Sequence, residues 1–279
     1  MQYALVDGER VEPFSGGKGT CLMCGAKATA KCGPRVTHHW AHNRLKDCDP
    51  WWETETQWHR DWKNLFAPEC REALHVASDG EIHRADVKTP TGIIIEFQHS
   101  AMSDAERISR EEFYKNLVWV LDGVAFRQNF HIYHCLPDPS AEVAKDVVWA
   151  KSRRDKLGAN HGLFFRLSEA RKEKPEVTKA EVQSGWIHTI DEIQEEITRT
   201  YRGHHQFDWV RPRKTWLEAS CPVYIDFGEE LLVKLETYDD SGLKCIRYIS
   251  KGKFVHDAAT ETSANEIGTR FYPIAEVPM

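Results

Sequence analysis

Arg84-Ala85-Asp86-Val87, followed by Ile93-Ile94-Ile95-Glu96-Phe97-Gln98-His99-Ser100, sets two carboxylates in successive apolar runs. Side chains alternate faces along a strand, so Glu96 and Gln98 share one face while Phe97 takes the other. A carboxylate inside Ile-Ile-Ile-Glu-Phe needs compensation, because an unpaired buried charge is very costly. A divalent cation with oxygen ligands from two acids and water is the usual solution. The same arrangement is what metal-dependent phosphodiester cleavage requires. Asp86-Val87-Lys88 is itself an Asp-x-Lys, but the acid upstream of it, Asp79, falls in a turn, so Asp86 and Glu96 are the better pair.

Working outward, the neighbouring sequence reads as helix, three strands, helix, strand. Trp58, Trp62 and Leu65 recur at helical spacing from Glu53 to Phe66, and Pro68 stops them. Three strands follow, Ala73 to Ala77, Ile82 to Val87 and Gly92 to Gln98, separated by Ser78-Asp79-Gly80 and Thr89-Pro90-Thr91-Gly92 turns. Ser103 and Glu106 are spaced as a capping box for a helix through Tyr114. Leu117 to Leu121, ending at Asp122-Gly123, is a buried strand. Upstream, Tyr3 to Glu12 reads as a hairpin about Asp7-Gly8, and Ser15-Gly16-Gly17-Lys18-Gly19 as a flexible lead. Downstream, Ile190 to Ile197 is a helix with Thr189 and Glu192 as a second capping box. From Val223 the chain is β-rich, including Lys253-Phe254-Val255. The domain reading is 1–49, 50–165 and 166–279.

The 279 residues, 41% hydrophobic and 29% charged, suit a globular protein. No apolar run approaches a membrane span, and the N-terminal stretch lacks a signal-peptide pattern. The eight cysteines are then read as thiols in a reducing cytoplasm, available to metal. A net charge of −6 argues against a uniformly basic nucleic-acid binder but suits acids gathered around a cation.

Cys21-Leu22-Met23-Cys24-Gly25 is a thiolate knuckle, and His39-Trp40-Ala41-His42 with Cys48 offers a second ligand pair. Cys21, Cys24, His42 and Cys48 are the preferred Zn²⁺ ligands, with His39 or Cys32 as the substitute for one of the last two. Four protein ligands leave no open position, so such a zinc would be structural.

Taken together, Cys-x-x-Cys, His39-Trp40-Ala41-His42, Cys48, Glu55-x3-His59-x3-Lys63, Arg84-Ala85-Asp86-Val87 and Glu96-Phe97-Gln98-x-Ser100 resemble the competence protein CoiA family. The resemblance covers roughly residues 1–125. It implies a PD-(D/E)XK nuclease, meaning a restriction-endonuclease-like α/β core preceded by a small N-terminal zinc-binding element; the β-rich C-terminal region lies beyond the resemblance. It further implies Glu-x-Gln where most of the superfamily has Glu-x-Lys, and a homodimer as a form such enzymes adopt.

On this reading Asp86 and Glu96 hold Mg²⁺ or Mn²⁺ with the Phe97 carbonyl. Gln98 holds the attacking water but cannot take its proton. Glu55, His59 and Lys63, at i, i+4 and i+8, share one helix face. Glu55 would orient a bound water and His59 would act as base or leaving-group acid. Lys63 and Ser100 are candidate phosphate contacts. So are Arg211, Arg213 and Lys214, flanked by Trp209 and Trp216, and the clusters Lys151 to Lys156 and Arg171 to Lys174. The bland readings are ion pairs for Asp86 and Glu96, and solvated surface for the basic clusters. Trp51, Trp52, Trp58 and Trp62 read better as aromatic core than as base-stacking platforms. The expected function is DNA hydrolysis in the handling of incoming or foreign DNA in a bacterial cytoplasm. The alternatives are a non-catalytic DNA-binding adaptor, or a nuclease active only with a protein partner, recruited by the zinc element or the C-terminal region.

Overall fold

The computed structural model describes residues 1–42, 48–51, 55–155 and 158–270. Trp52, Glu53 and Lys156, singled out above, lie outside them. The chain is mixed α/β and rich in strands. It divides into two compact units, Met1–Val120 with Val255–Glu266, and Leu121–Phe254 with residues from 267 onward. Boundaries expected near 49 and 165 are not where this division falls, and the cysteine-rich segment shares a unit with the acid strands.

The first unit holds two sheets. Strands β1 (Ala4–Val6), β2 (Glu9–Val11), β3 (Lys18–Thr20), β4 (Lys27–Lys31) and β5 (His39–Ala41) form an antiparallel sheet of order β2-β1-β3-β4-β5. Asp7 and Gly8 have φ of 53° and 86°, the paired positive values of a tight hairpin turn. The stretch read as a flexible lead is instead built into this sheet. A Cβ on Gly17 would lie 2.8 Å from the Trp40 ring, so only glycine admits that close approach. Trp40 is fully buried with Met1, Ala4, Cys21 and Ala28 around it, and its Nε1 donates to Val11 O at 3.0 Å.

The second sheet follows the expected order: α1 (Gln57–Asn64), β6 (Arg71–Val76), β7 (Ile82–Lys88), β8 (Ile94–Gln98), α2 (Asp104–Tyr114) and β9 (Leu117–Asp122). Its strands lie β9-β8-β7-β6. The β6–β7 and β7–β8 pairs are antiparallel. Ile94 N donates to Asn116 O at 2.9 Å, so β8 and β9 start side by side and run parallel, with α2 as the crossover. Every residue of β8 is buried, which explains its unbroken apolar run.

Helix α1 is shorter than its periodicity predicts because Thr56 caps it. Thr56 Oγ1 accepts from His59 N, and the Thr56 backbone donates to His59 Nδ1. Glu55 therefore precedes the helix rather than sharing its face. The capping box expected on α2 is half formed. Ser103 Oγ accepts from Glu106 N at 3.2 Å, but the Glu106 carboxylate turns to Arg110 at 2.5 Å.

The second unit is built on antiparallel strands β10 (Phe130–Cys135), β16 (His204–Trp209), β19 (Lys244–Ser250), β18 (Leu231–Thr237) and β17 (Val223–Asp226), neighbours in that order. It also carries a three-stranded sheet of β11 (Val147–Trp149), β14 (Leu163–Arg166) and β15 (His188–Thr189), and a hairpin of β12 (Arg153–Asp155) and β13 (Gly158–Asn160). Thr189 and Glu192 do form a capping box, on a 3-10 turn at Ile190–Ile193 that leads into the helix Gln194–Thr200. Lys253-Phe254-Val255, read as strand, belongs to the helix Lys251–Thr260. Ser250 Oγ accepts from Lys253 N there, a cap that outweighs local β propensity.

Among the described residues no helix is long and apolar enough to cross a membrane.

Candidate functional site

The cysteine knuckle folds as its spacing requires. Gly25, at φ 69°, reverses the chain so that its N–H reaches Cys21 O, and Met23 N–H points at Cys21 Sγ at 3.4 Å. Cys21, Cys24, His42 and Cys48 each offer a ligand atom, all within 4.8 Å of one another. The Cys21 and Cys48 sulfurs are 3.8 Å apart, as are Cys24 Sγ and His42 Nε2. Zn–S bonds of about 2.3 Å at tetrahedral angles require sulfurs roughly 3.8 Å apart, so the four fit a structural metal such as zinc. Neither proposed substitute joins this group. His39 Nδ1 is engaged with Thr37 O at 2.8 Å. Burial and the neighbouring thiols push the Cys48 thiol up. At Cys24 burial also opposes the thiolate, but hydrogen bonds from Ala26, Cys48 and Cys21 outweigh it and lower the value. A cation would therefore displace a proton from Cys48 on binding.

The acids meet on the second sheet. The registers Ala73–Ala85 and Val87–Ile95 set Glu72, Asp86 and Glu96 in a row across β6, β7 and β8. Side-chain bonds replace backbone ones at this point. Asp86 N donates to Glu96 Oε1 at 3.2 Å, and Phe97 N donates to Asp86 Oδ2 at 3.0 Å. Glu72 adopts φ 44°, a conformation few non-glycine residues take. Its carboxylate accepts from the backbone of Gln2 at 2.8 Å and Tyr3 at 3.2 Å.

Lys63 reaches into this row. Its Nζ lies 3.3 Å from Glu72 and 3.9 Å from Asp86, and pairs with Glu55. With its side chain 3% exposed, Lys63, read from sequence as a candidate phosphate contact, is an enclosed counter-ion to these acids. Burial opposes its charge, but the three carboxylates prevail and raise its pKa. Burial likewise opposes the Glu72 carboxylate, yet Lys63 and Arg84 hold it well below the usual range. Glu96 behaves differently. Arg110 Nη1 contacts it at 3.1 Å, but burial and the facing Asp86 push its pKa up to about 8. Glu96 thus holds a proton near neutrality unless a further cation arrives.

These residues line a cavity of about 50 Å³, with Glu55, His59, Gln98 and Arg84 also on its wall. Gln98 Nε2 donates to Ser100 O and Oγ, both at 3.2 Å, and Ser100 is exposed. His59 is held by hydrogen bonds on both sides of its ring. Its Nε2 donates to Phe97 O at 2.8 Å and its Nδ1 faces Thr56 Oγ1 at 2.9 Å. Both ring nitrogens are engaged, and the Nε2 bond fixes the Phe97 carbonyl.

Of the tryptophans read as core, Trp62 is buried, Trp51 and Trp58 are half-buried among aromatic rings, and Trp52 lies outside the described residues. Trp62 stacks on Phe97 at 5.5 Å, and Trp51 on His83 at 3.4 Å. In the second unit, Arg211 and Lys214 are exposed, whereas Arg213 lies over the Phe126 ring at 5.0 Å. Trp209 and Trp216 beside them are buried. Sequence reasoning missed Glu72, Asp49 and Arg110. Glu72 lies just outside the strand read from Ala73, and Arg110 looks like an ordinary helix cation until its tertiary partner is known.

Comparison of the chain with protein-family models, with characterised proteins and with solved structures returns no match.

Proposed function

We propose that this chain is a divalent-metal-dependent nuclease that hydrolyses phosphodiester bonds in DNA, with a structural zinc at Cys21, Cys24, His42 and Cys48. The observation that carries this reading is the clamped pair of half-buried Asp86 and buried Glu96 at the wall of a polar cavity beside Gln98. The helix, three-strand, helix, strand order and the CoiA-like motifs support a restriction-endonuclease-like core.

Asp86 and Glu96 would hold Mg²⁺ or Mn²⁺ with the Phe97 carbonyl, which His59 orients. When bound, the ion supplies Lewis acidity toward the phosphate and lowers the pKa of a water. Gln98, anchored by Ser100, orients the attacking water but cannot accept its proton. That proton leaves through a substrate phosphate oxygen or bulk solvent. Lys63 offsets the charge of Glu55, Glu72 and Asp86 around one cavity, and holds the Glu55 and Glu72 carboxyls below the usual range. The chemistry suits the handling of incoming or foreign DNA, as the resemblance implies. Cleavage of a labelled DNA in Mg²⁺ but not in EDTA tests the proposal, and absence of cleavage by zinc-loaded chain contradicts it.

One observation favours a second reading. Arg110 and Lys63 already compensate the acids from within, as would suffice in a non-catalytic DNA-binding adaptor. An adaptor binds DNA equally well with and without Mg²⁺ and never cuts it.

A further inference from the structure

The segment 48–51 connects the two candidate metal centres of the first unit. Cys48 is a ligand in the thiol cluster. The next residue, Asp49, is 4% exposed and grips the strand that carries Asp86. Its Oδ2 accepts from Arg84 N at 3.2 Å, two residues before Asp86. Its Oδ1 accepts from Trp51 N at 3.1 Å and lies 3.0 Å from His83 Nδ1. Trp51 then stacks on His83, and its carbonyl accepts from Arg110 Nη2 at 2.9 Å. Arg110 is the guanidinium that contacts Glu96. One short segment therefore leads from a thiol ligand to the immediate supports of both acids.

We infer that Asp49 is a positioning residue through which occupancy of the thiol cluster sets the geometry of the Asp86–Glu96 cation site. The inference rests on the nuclease reading of those acids. An ion in the thiol cluster fixes Cys48, Cys48 fixes Asp49, and Asp49 holds the Arg84 amide and with it the backbone at Asp86. Outer contacts of this kind change metal affinity by about 10–100-fold when removed. Asparagine at position 49 keeps the Oδ1 acceptor but replaces the Arg84 acceptor with a donor.

The test is Mn²⁺ binding by the full chain, followed by electron paramagnetic resonance and calorimetry, counting only the site lost in Asp86→Ala. Asp49→Asn is expected to retain one zinc and a native circular dichroism spectrum while binding Mn²⁺ about tenfold more weakly. Zinc removal is expected to weaken wild type by the same factor and to weaken Asp49→Asn no further. Cys48→His, which keeps a zinc ligand but moves the segment, should also weaken Mn²⁺ and decides the matter if Asp49→Asn does not fold. Wild-type Mn²⁺ affinity in Asp49→Asn, or equal losses in both chains on zinc removal, overturns the inference while leaving the acid site standing. A wild type with no Asp86-dependent Mn²⁺ site overturns both.

Discussion

Asp86 and Glu96 hold one another. Asp86 gives its backbone N–H to Glu96 Oε1 at 3.2 Å, and its Oδ2 accepts the N–H of Phe97, the residue after Glu96, at 3.0 Å. Each carboxylate is thus oriented by the strand that carries the other, so neither waits for substrate to find its direction. Such preorganisation is what a site for a hard cation needs.

The protonation of Glu96 gives the metal-free chain a distinctive pH dependence. Its folded pKa is raised from the ordinary 4.5 to about 8, so between those values the folded state binds the extra proton. Stability therefore falls as pH rises through that window, by an upper bound of roughly 5 kcal/mol. Thermal melts in EDTA should decline from pH 5 to pH 8, and saturating Mg²⁺ or Mn²⁺ should flatten the decline. Glu96→Gln should flatten it without metal. An unchanged slope in Glu96→Gln would assign the effect elsewhere.

Arg110 contacts Glu96 directly, so Arg110→Met should raise the Glu96 pKa further. The pH at which Mn²⁺ binding reaches half-maximum should then move upward, and tight binding should return above it. Calorimetric titration across pH 6 to 9 reads this directly.

Lys63 balances three carboxylates within a buried network. Lys63→Met leaves them uncompensated and should cost on the order of 3–5 kcal/mol, measured by urea unfolding. Lys63→Arg should not restore stability, because a planar guanidinium does not fit where a compact ammonium sits. The Glu72 contribution, with its pKa depressed below 4.5, is present above that pH and lost as acid protonates it. Lys63→Met should therefore flatten the acid limb of the stability profile.

The thiol cluster should retain about one zinc per chain after purification without added metal. Cys21→Ser or Cys48→Ser should lose the metal and the cooperative melt of the N-terminal sheet. Cys32→Ser and His39→Ala should keep both. Elemental analysis with calorimetry distinguishes these outcomes.

Much of this was legible because local chemistry and tertiary position agree. Asp7-Gly8, Ser103, the apolar β8 run and the Cys21/Cys24/His42/Cys48 set carry their structural roles in residue type and spacing. What escaped depends on contacts between distant segments. Glu72 has a left-handed backbone that no propensity announces, and it is held by Gln2, Tyr3 and Lys63. Asp49 matters because it reaches β7 across 35 residues of chain. Glu55 was read on the helix face because its spacing allows it, but Thr56 takes the cap. Lys63 and His59 both line the cavity, where the lysine pairs with buried carboxylates and the histidine holds the Phe97 carbonyl, contacts that spacing alone does not show.

Cleavage of linear, circular and single-stranded DNA in Mg²⁺ or Mn²⁺, by wild type, Asp86→Ala and Glu96→Ala, tests the nuclease most directly. The account predicts metal-dependent cutting by wild type and a loss of at least 100-fold, about 2.7 kcal/mol of barrier, in each variant. Cutting that survives both substitutions, or a folded zinc-loaded wild type that cuts none of the three, would contradict it.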